Sequence, residues 1–120
     1  MPIKLNPKSV EFAKQLIKDG KFDGNHGNQC KKNSTPEEVQ RFLDDHTFHE
    51  YGTWFLGMNT RAPQEHVDHY VYPHGKLNHA IVCRAILLDT QKAASLDNHK
   101  DIARAAQDLI DLIDKKVNKH

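Results

Sequence analysis

The sequence predicts a mainly α fold of about four helices around a central buried helix, 77–94, with a small extended or two-stranded β element between helices two and three. Three observations carry this expectation. Between Ala80 and Leu88 only Arg84 is polar, so a helix there is apolar around nearly its whole circumference and belongs in an interior. Four segments repeat apolar residues at helical spacing. Three of them also carry helix start or stop signals.

At 120 residues, the chain makes a single globular domain, 1–120, able to bury roughly two thirds of its unfolded surface. Seventeen Lys and Arg stand against sixteen Asp and Glu, for a formal charge of +1. That balance argues against a protein built to coat nucleic acid. No apolar run approaches the ~20 residues of a membrane span. The start, M-P-I-K-L-N-P-K, lacks the apolar core of a signal peptide. Cys30 and Cys83 alone do not make a disulfide framework. The expectation is a cytoplasmic protein with neither membrane nor nucleic acid as partner.

Helix one is expected over 7–19. Asn6 suits the N-cap, Pro7 the first helical position and Gly20 the stop, while Val10, Ala13 and Ile17 fall on one face. Residues 21–34 hold Gly24, Gly27, three asparagines and a lysine pair without periodicity, and read as a flexible loop. Its G-N-H-G-N lacks the G-K-[S/T] ending of a phosphate loop. Thr35-Pro36-Glu37-Glu38 is a capping box that starts helix two, expected over 36–46. The glycine-broken H-E-Y-G-T-W-F-L-G-M-N, 49–59, is too short for a stable helix and reads as a short strand or extended segment. The aromatic, β-branched D-H-Y-V-Y-P, 68–73, reads as a short strand, and 54–58 with 69–72 are the expected partners of a small hairpin. A strand through I-V-C-R-A-I-L-L is the competing reading of the central segment, but its continuation into D-T-Q-K-A-A favours a helix. The last helix is expected over 100–117, with Ile102, Ala105, Ala106 and Leu109 on its inner face.

The motifs Y-G-T-W-F-L-G, Y-V-Y-P-H-G, C-R-A within an apolar stretch, and A-A-Q-D-L-I-D-L-I-D together resemble a family of small uncharacterised bacterial proteins. In that family a tyrosine-x-x-proline-x-glycine segment precedes an arginine-alanine pair. The resemblance spans about residues 8–114 and implies no activity.

The chain has nine histidines. His66, His69, His74 and His79 fall within fourteen residues, and His46 and His49 form an H-x-x-H pair. Imidazole is a common zinc ligand, and His66 with His69 is the candidate metal pair, although neither H-E-x-x-H nor C-x-x-C occurs. Pro73 fixes the backbone and Gly75 frees it, which gathers Tyr70, Tyr72, His74 and His79 at the expected start of the central helix. Unpaired N–H groups there favour an anion, with Arg84 about one turn deeper. Arg84 in an apolar setting calls for a carboxylate or backbone carbonyls as partner. Cys83 reads as a buried thiol behaving as a small hydrophobe, and Cys30 as exposed beside lysines. Serine-hydrolase, dinucleotide and paired-carboxylate signatures are absent, and no cofactor is strongly implied. Two function classes follow. One is a non-catalytic helical domain acting through protein contacts or as a homo-oligomer, suggested by the apolar central helix. The other is a small metal- or anion-binding protein or enzyme centred on Tyr70, Tyr72, His74, His79 and Arg84.

Overall fold

The fold is mixed α/β, not mainly α. In the computed structural model, which describes residues 3–24, 35–63, 65–77 and 80–117, five helices surround two three-stranded sheets. The elements run β1 (Ile3–Leu5), α1 (Pro7–Lys18), β2 (Phe22–Asp23), α2 (Pro36–Asp45), α3 (Phe48–Gly52), β3 (Phe55–Asn59), a 3-10 turn (Val67–His69), β4 (Tyr70–Pro73), β5 (Gly75–Lys76), β6 (Ile81–Cys83), α4 (Arg84–Leu96) and α5 (Lys100–Val117).

The first sheet has the order β1-β3-β4 and is antiparallel. Ile3 faces Asn59, Leu5 faces Gly57, and Gly57 faces Val71. The expected hairpin partners therefore do pair, and β1 adds a third strand from the far end of the chain. Gly57 leaves room that neighbouring side chains use: a Cβ there would touch Tyr72, Val71 and Ile102. The second sheet has the order β2-β6-β5, with β2 parallel and β5 antiparallel to β6. Its β2 comes from the stretch expected to be loop; residues 25–34 of that loop lie outside the described residues.

The central helix is the main correction. Its first part is the middle strand of the second sheet, and α4 begins only at Arg84. Ala80, with φ 51, stands at the turn into β6. Val82 and Cys83 are completely buried, and a strand covered on both faces is as continuously apolar as a buried helix. In α4 itself Ile86, Leu87, Thr90 and Ala94 point inward. Cys83 is not a free thiol but disulfide-bonded. The other cysteine of the chain, Cys30, lies outside the described residues.

The core lies where α1, α4 and α5 meet the sheets, with Ile17, Leu56, Leu87, Ile102, Leu109, Ile110 and Ile113 fully enclosed. Two capping boxes start the short helices: Thr35 with Glu38, and Thr47 with Glu50. The second turns the expected extended stretch into α3. Lys76, nearly buried, reaches Glu38 at 3.6 Å and holds α2 to β5.

Arg84 meets the carboxylate its setting calls for. Its Nε donates to Asp114 Oδ1 at 2.8 Å and its terminal nitrogen to Oδ2 at 3.2 Å, linking the start of α4 to the end of α5. That bond is the main reason the guanidinium titrates above its ordinary value. Both side chains keep some solvent, so the coupling is set by fork geometry rather than by burial. A double-mutant cycle of Arg84→Met and Asp114→Asn in urea is expected to return a coupling of about 1 kcal/mol. A coupling indistinguishable from zero would remove the pair from the fold's support.

Candidate functional site

Site geometry begins with Asn6. It stands at the N-cap of α1, yet its side chain makes no cap bond. Its Nδ2 instead donates to the carbonyls of Gly52 at 3.0 Å and Phe55 at 3.2 Å, and its N–H donates to the carbonyl of Leu56 at 2.8 Å. One turn on, the Ser9 hydroxyl donates to the Thr53 carbonyl at 2.9 Å. The same carbonyl accepts His74 Nε2–H at 2.8 Å. The irregular passage from α3 into β3 is thus held by side chains from α1 and from the crossing between sheets, which satisfies backbone groups that no ladder reaches.

Beside this seam lies a cleft of about 510 Å³, lined by Asn6, Pro7, Lys8, His49, Gly52, Thr53, Met58, His69 and Tyr70. One wall is the N-terminus of α1, where helical N–H groups carry partial positive charge; Lys8 adds a full one. His69 forms another wall. It is 6% exposed, and its Nδ1–H donates to the Ala62 carbonyl at 2.8 Å. That bond fixes the tautomer and leaves Nε2 as the nitrogen without a hydrogen-bond partner among the described residues, on a side chain that lines the cleft.

Tyr70 is the cleft's aromatic face. It lies against the backbone of Gly52, where a Cβ would collide with the Tyr70 ring. His69, Tyr51 and Phe55 rings surround it, with centroids at 4.8, 5.7 and 6.3 Å. Burial raises the Tyr70 phenol above its ordinary 10. Tyr51 behind it is pushed up to about 12, by burial first and then by the Asp68 charge. Both phenols therefore stay protonated near neutral pH, as neutral polar groups rather than bases.

The other residues picked from the sequence do not join this cleft. Tyr72, with φ 64, donates its hydroxyl to Asp97 Oδ2 at 2.6 Å, and its ring meets His99. It therefore belongs with the turn between α4 and α5. Its phenol is pushed up to about 12, by desolvation and then by the Asp97 bond. His74 is fully buried between the rings of Trp54 and Phe12. Arg84 is committed to Asp114. His79 lies outside the described residues. The anion site expected at the start of the central helix is therefore not assembled from the described residues: Tyr70 faces the cleft, Tyr72 lies at the far end of α4, and His74 is enclosed.

Of the candidate metal pair, His66 uses Nδ1 to accept the Asp68 N–H at 3.1 Å, and His69 uses Nδ1 on Ala62. Among the described residues no three His, Cys, Asp or Glu side chains come together as a metal cage. His49 of the H-x-x-H pair lines the cleft, while His46 stacks on Phe42 at 4.0 Å. Asn6, Lys8, His49, Gly52 and Met58 were not singled out from the sequence as cleft residues, because their meeting depends on contacts across some fifty residues of chain.

No helix among the described residues is long and apolar enough to cross a membrane. Compared with protein families, characterised proteins and solved structures, the chain matches none of them.

Proposed function

We propose that this protein is a binding domain for a small anion, which it takes into the cleft between the start of α1, α3 and Tyr70. The observation that carries the reading is His69. It is 6% exposed, with one ring nitrogen held by a carbonyl and the other without a hydrogen-bond partner among the described residues, on a side chain that lines the cleft, so the ring is oriented in advance for a ligand. Lys8 and the α1 N-terminus supply the sign of the charge. In this tautomer Nε2 accepts a hydrogen bond from an O–H of the ligand's acid group, while Lys8 meets its charged oxygen.

The reading is one of binding rather than catalysis. At the seam the hydroxyls of Ser9 and Thr53 are both spent on backbone carbonyls, and the phenols are held protonated. The alternative of self-association drew its support from the apolar central segment. Val82, Cys83, Ile86 and Leu87 are turned into the chain's own core, so that support is gone. The disulfide at Cys83 favours an oxidising compartment over the cytoplasm.

The test is NMR of the histidine side chains during titration with acetate and with inorganic phosphate. His69 and His49 are expected to shift together while His66 stays in place. Lys8→Gln is expected to weaken binding about tenfold, the value of one charge-assisted contact. Unmoved His69 signals with either anion at millimolar concentration would end the proposal for those anions.

A further inference from the structure

The cleft is larger than an inorganic anion and has more to offer than charge. The Asn6 and Thr53 side chains in its lining donate to backbone carbonyls, and Lys8 and the imidazoles of His49 and His69 are its other polar side chains besides the Tyr70 phenol. Three other lining residues present apolar surface, namely the Pro7 ring, the Met58 side chain and the Tyr70 ring. Small-molecule sites typically combine a mostly apolar wall with a few placed polar groups, in about 300–1,000 Å³, and this cleft of about 510 Å³ falls in that range.

The apolar wall is also pre-set. Gly52 lets the Tyr70 ring close onto the backbone, and Tyr51 meets it edge-on at 5.7 Å and 79°. The ring therefore forms a fixed flat surface rather than a mobile cover. Met58, on β3 directly opposite Tyr70 in the register, adds an unbranched side chain that adapts to what it meets. Fixed aromatic area costs little ordering on binding.

Resting on the anion reading, we infer that the ligand is an organic acid with a flat apolar body, its carboxylate or phosphate against Lys8 and His69 and its body on Tyr70 and Met58. Acetate and inorganic phosphate then satisfy only half of the site.

The full chain is titrated with benzoate and phenylphosphate, and separately with acetate, inorganic phosphate and benzyl alcohol, while the His69 ring and the Met58 methyl are followed by NMR. Benzoate and phenylphosphate carry the two headgroups, so the tighter of them names the acid. The expected result is that at least one aromatic acid binds about tenfold or more tightly than its small counterpart, as burial of one ring predicts, and moves His69 and Met58 together. Equal affinity for aromatic and small acids, or an unmoved Met58 methyl, overturns the inference and leaves the anion reading standing. Benzyl alcohol binding as tightly as the acids overturns the anion reading itself. No response to any of the five probes overturns both.

Discussion

Replacing Gly75 by alanine is expected to destabilise the protein by about 3 kcal/mol, at the upper end of the range for forcing atoms into a packed site. The added Cβ would run into the backbone carbonyl oxygen of Ile81 and come within 3.0 Å of the Trp54 ring. A flexible side chain could turn aside, but Ile81 is fixed in β6, where Gly75 opposes Val82 and Lys76 opposes Ile81. The strand pair must separate or its register must shift. Gly20 supplies the control. Its φ of +78 disfavours a side chain, but nothing lies within 4 Å of its Cβ position, so Gly20→Ala is expected to cost only about 1 kcal/mol of backbone strain. Urea unfolding of both variants measures the difference. Equal losses would mean that the close approach at Gly75 does not exist in solution.

Acid is expected to unfold the protein through His74. Burial pushes this imidazole down from its ordinary 6.5 to about 4, against smaller upward pulls from the carbonyl of Thr53 and its own backbone. Nδ1 has no hydrogen-bond partner among the described residues. Its surroundings are the rings of Phe12 and Trp54, and Nε2–H is held on a carbonyl, so nothing in those contacts neutralises a positive charge. Between pH 6.5 and 4 the unfolded chain binds a proton that the folded chain refuses. Stability contributed by neutral His74 is therefore complete above pH 6.5 and is lost as the pH falls toward 4. The fall from 6.5 to about 4 corresponds to about 3 kcal/mol. The measurement is urea stability from pH 7.5 to 4 in the native chain and in His74→Gln, whose amide can still donate to Thr53. The variant is expected to be less stable at pH 7.5 but to lose about 3 kcal/mol less on acidification. Parallel pH profiles would contradict the assignment.

Helix ends were the most legible part of the sequence, because they are decided within four residues. Thr35 and Glu38 form the box their spacing implies, and α5 occupies the segment expected for the last helix. Asn6 was placed correctly but misread: it stands at the start of α1 while its amide serves residues 52 and 55 instead. The second box, T-F-H-E at residues 47–50, is equally local, but the glycine at 52 is a poor helix former and makes an extended segment the expectation there. The apolar run through Ile81, Val82 and Cys83 could not be resolved locally, since a strand sealed on both faces and a buried helix share one pattern. What decided it was β2 pairing along one edge, a partner some sixty residues away. The placing of the candidate site residues was not legible for a related reason. Closeness in sequence gathered Tyr70, Tyr72, His74 and Arg84, but alternating strand faces, the positive φ of Tyr72 and the crossing between sheets at His74 send them in different directions. Only Tyr70 and His69 survive as neighbours in the cleft.

The Asn6 seam has a consequence for how any ligand will register. Its amide closes loops of 46 and 49 residues onto the α3–β3 passage, so the cleft's two sides are joined only when segments far apart in the chain have come together. Such long closures are costly and late in folding, and no local fragment holds a half-formed receptor. Occupancy is then coupled to the global unfolding equilibrium rather than to opening of one flap. At a hundred times its dissociation constant, a ligand that recognises only the closed chain adds about 2.7 kcal/mol to the stability of the whole molecule. That increment reaches the amides of α5 on the far side of the core as fully as those lining the cleft, so the melting temperature of the intact chain doubles as a detector for its unknown acid.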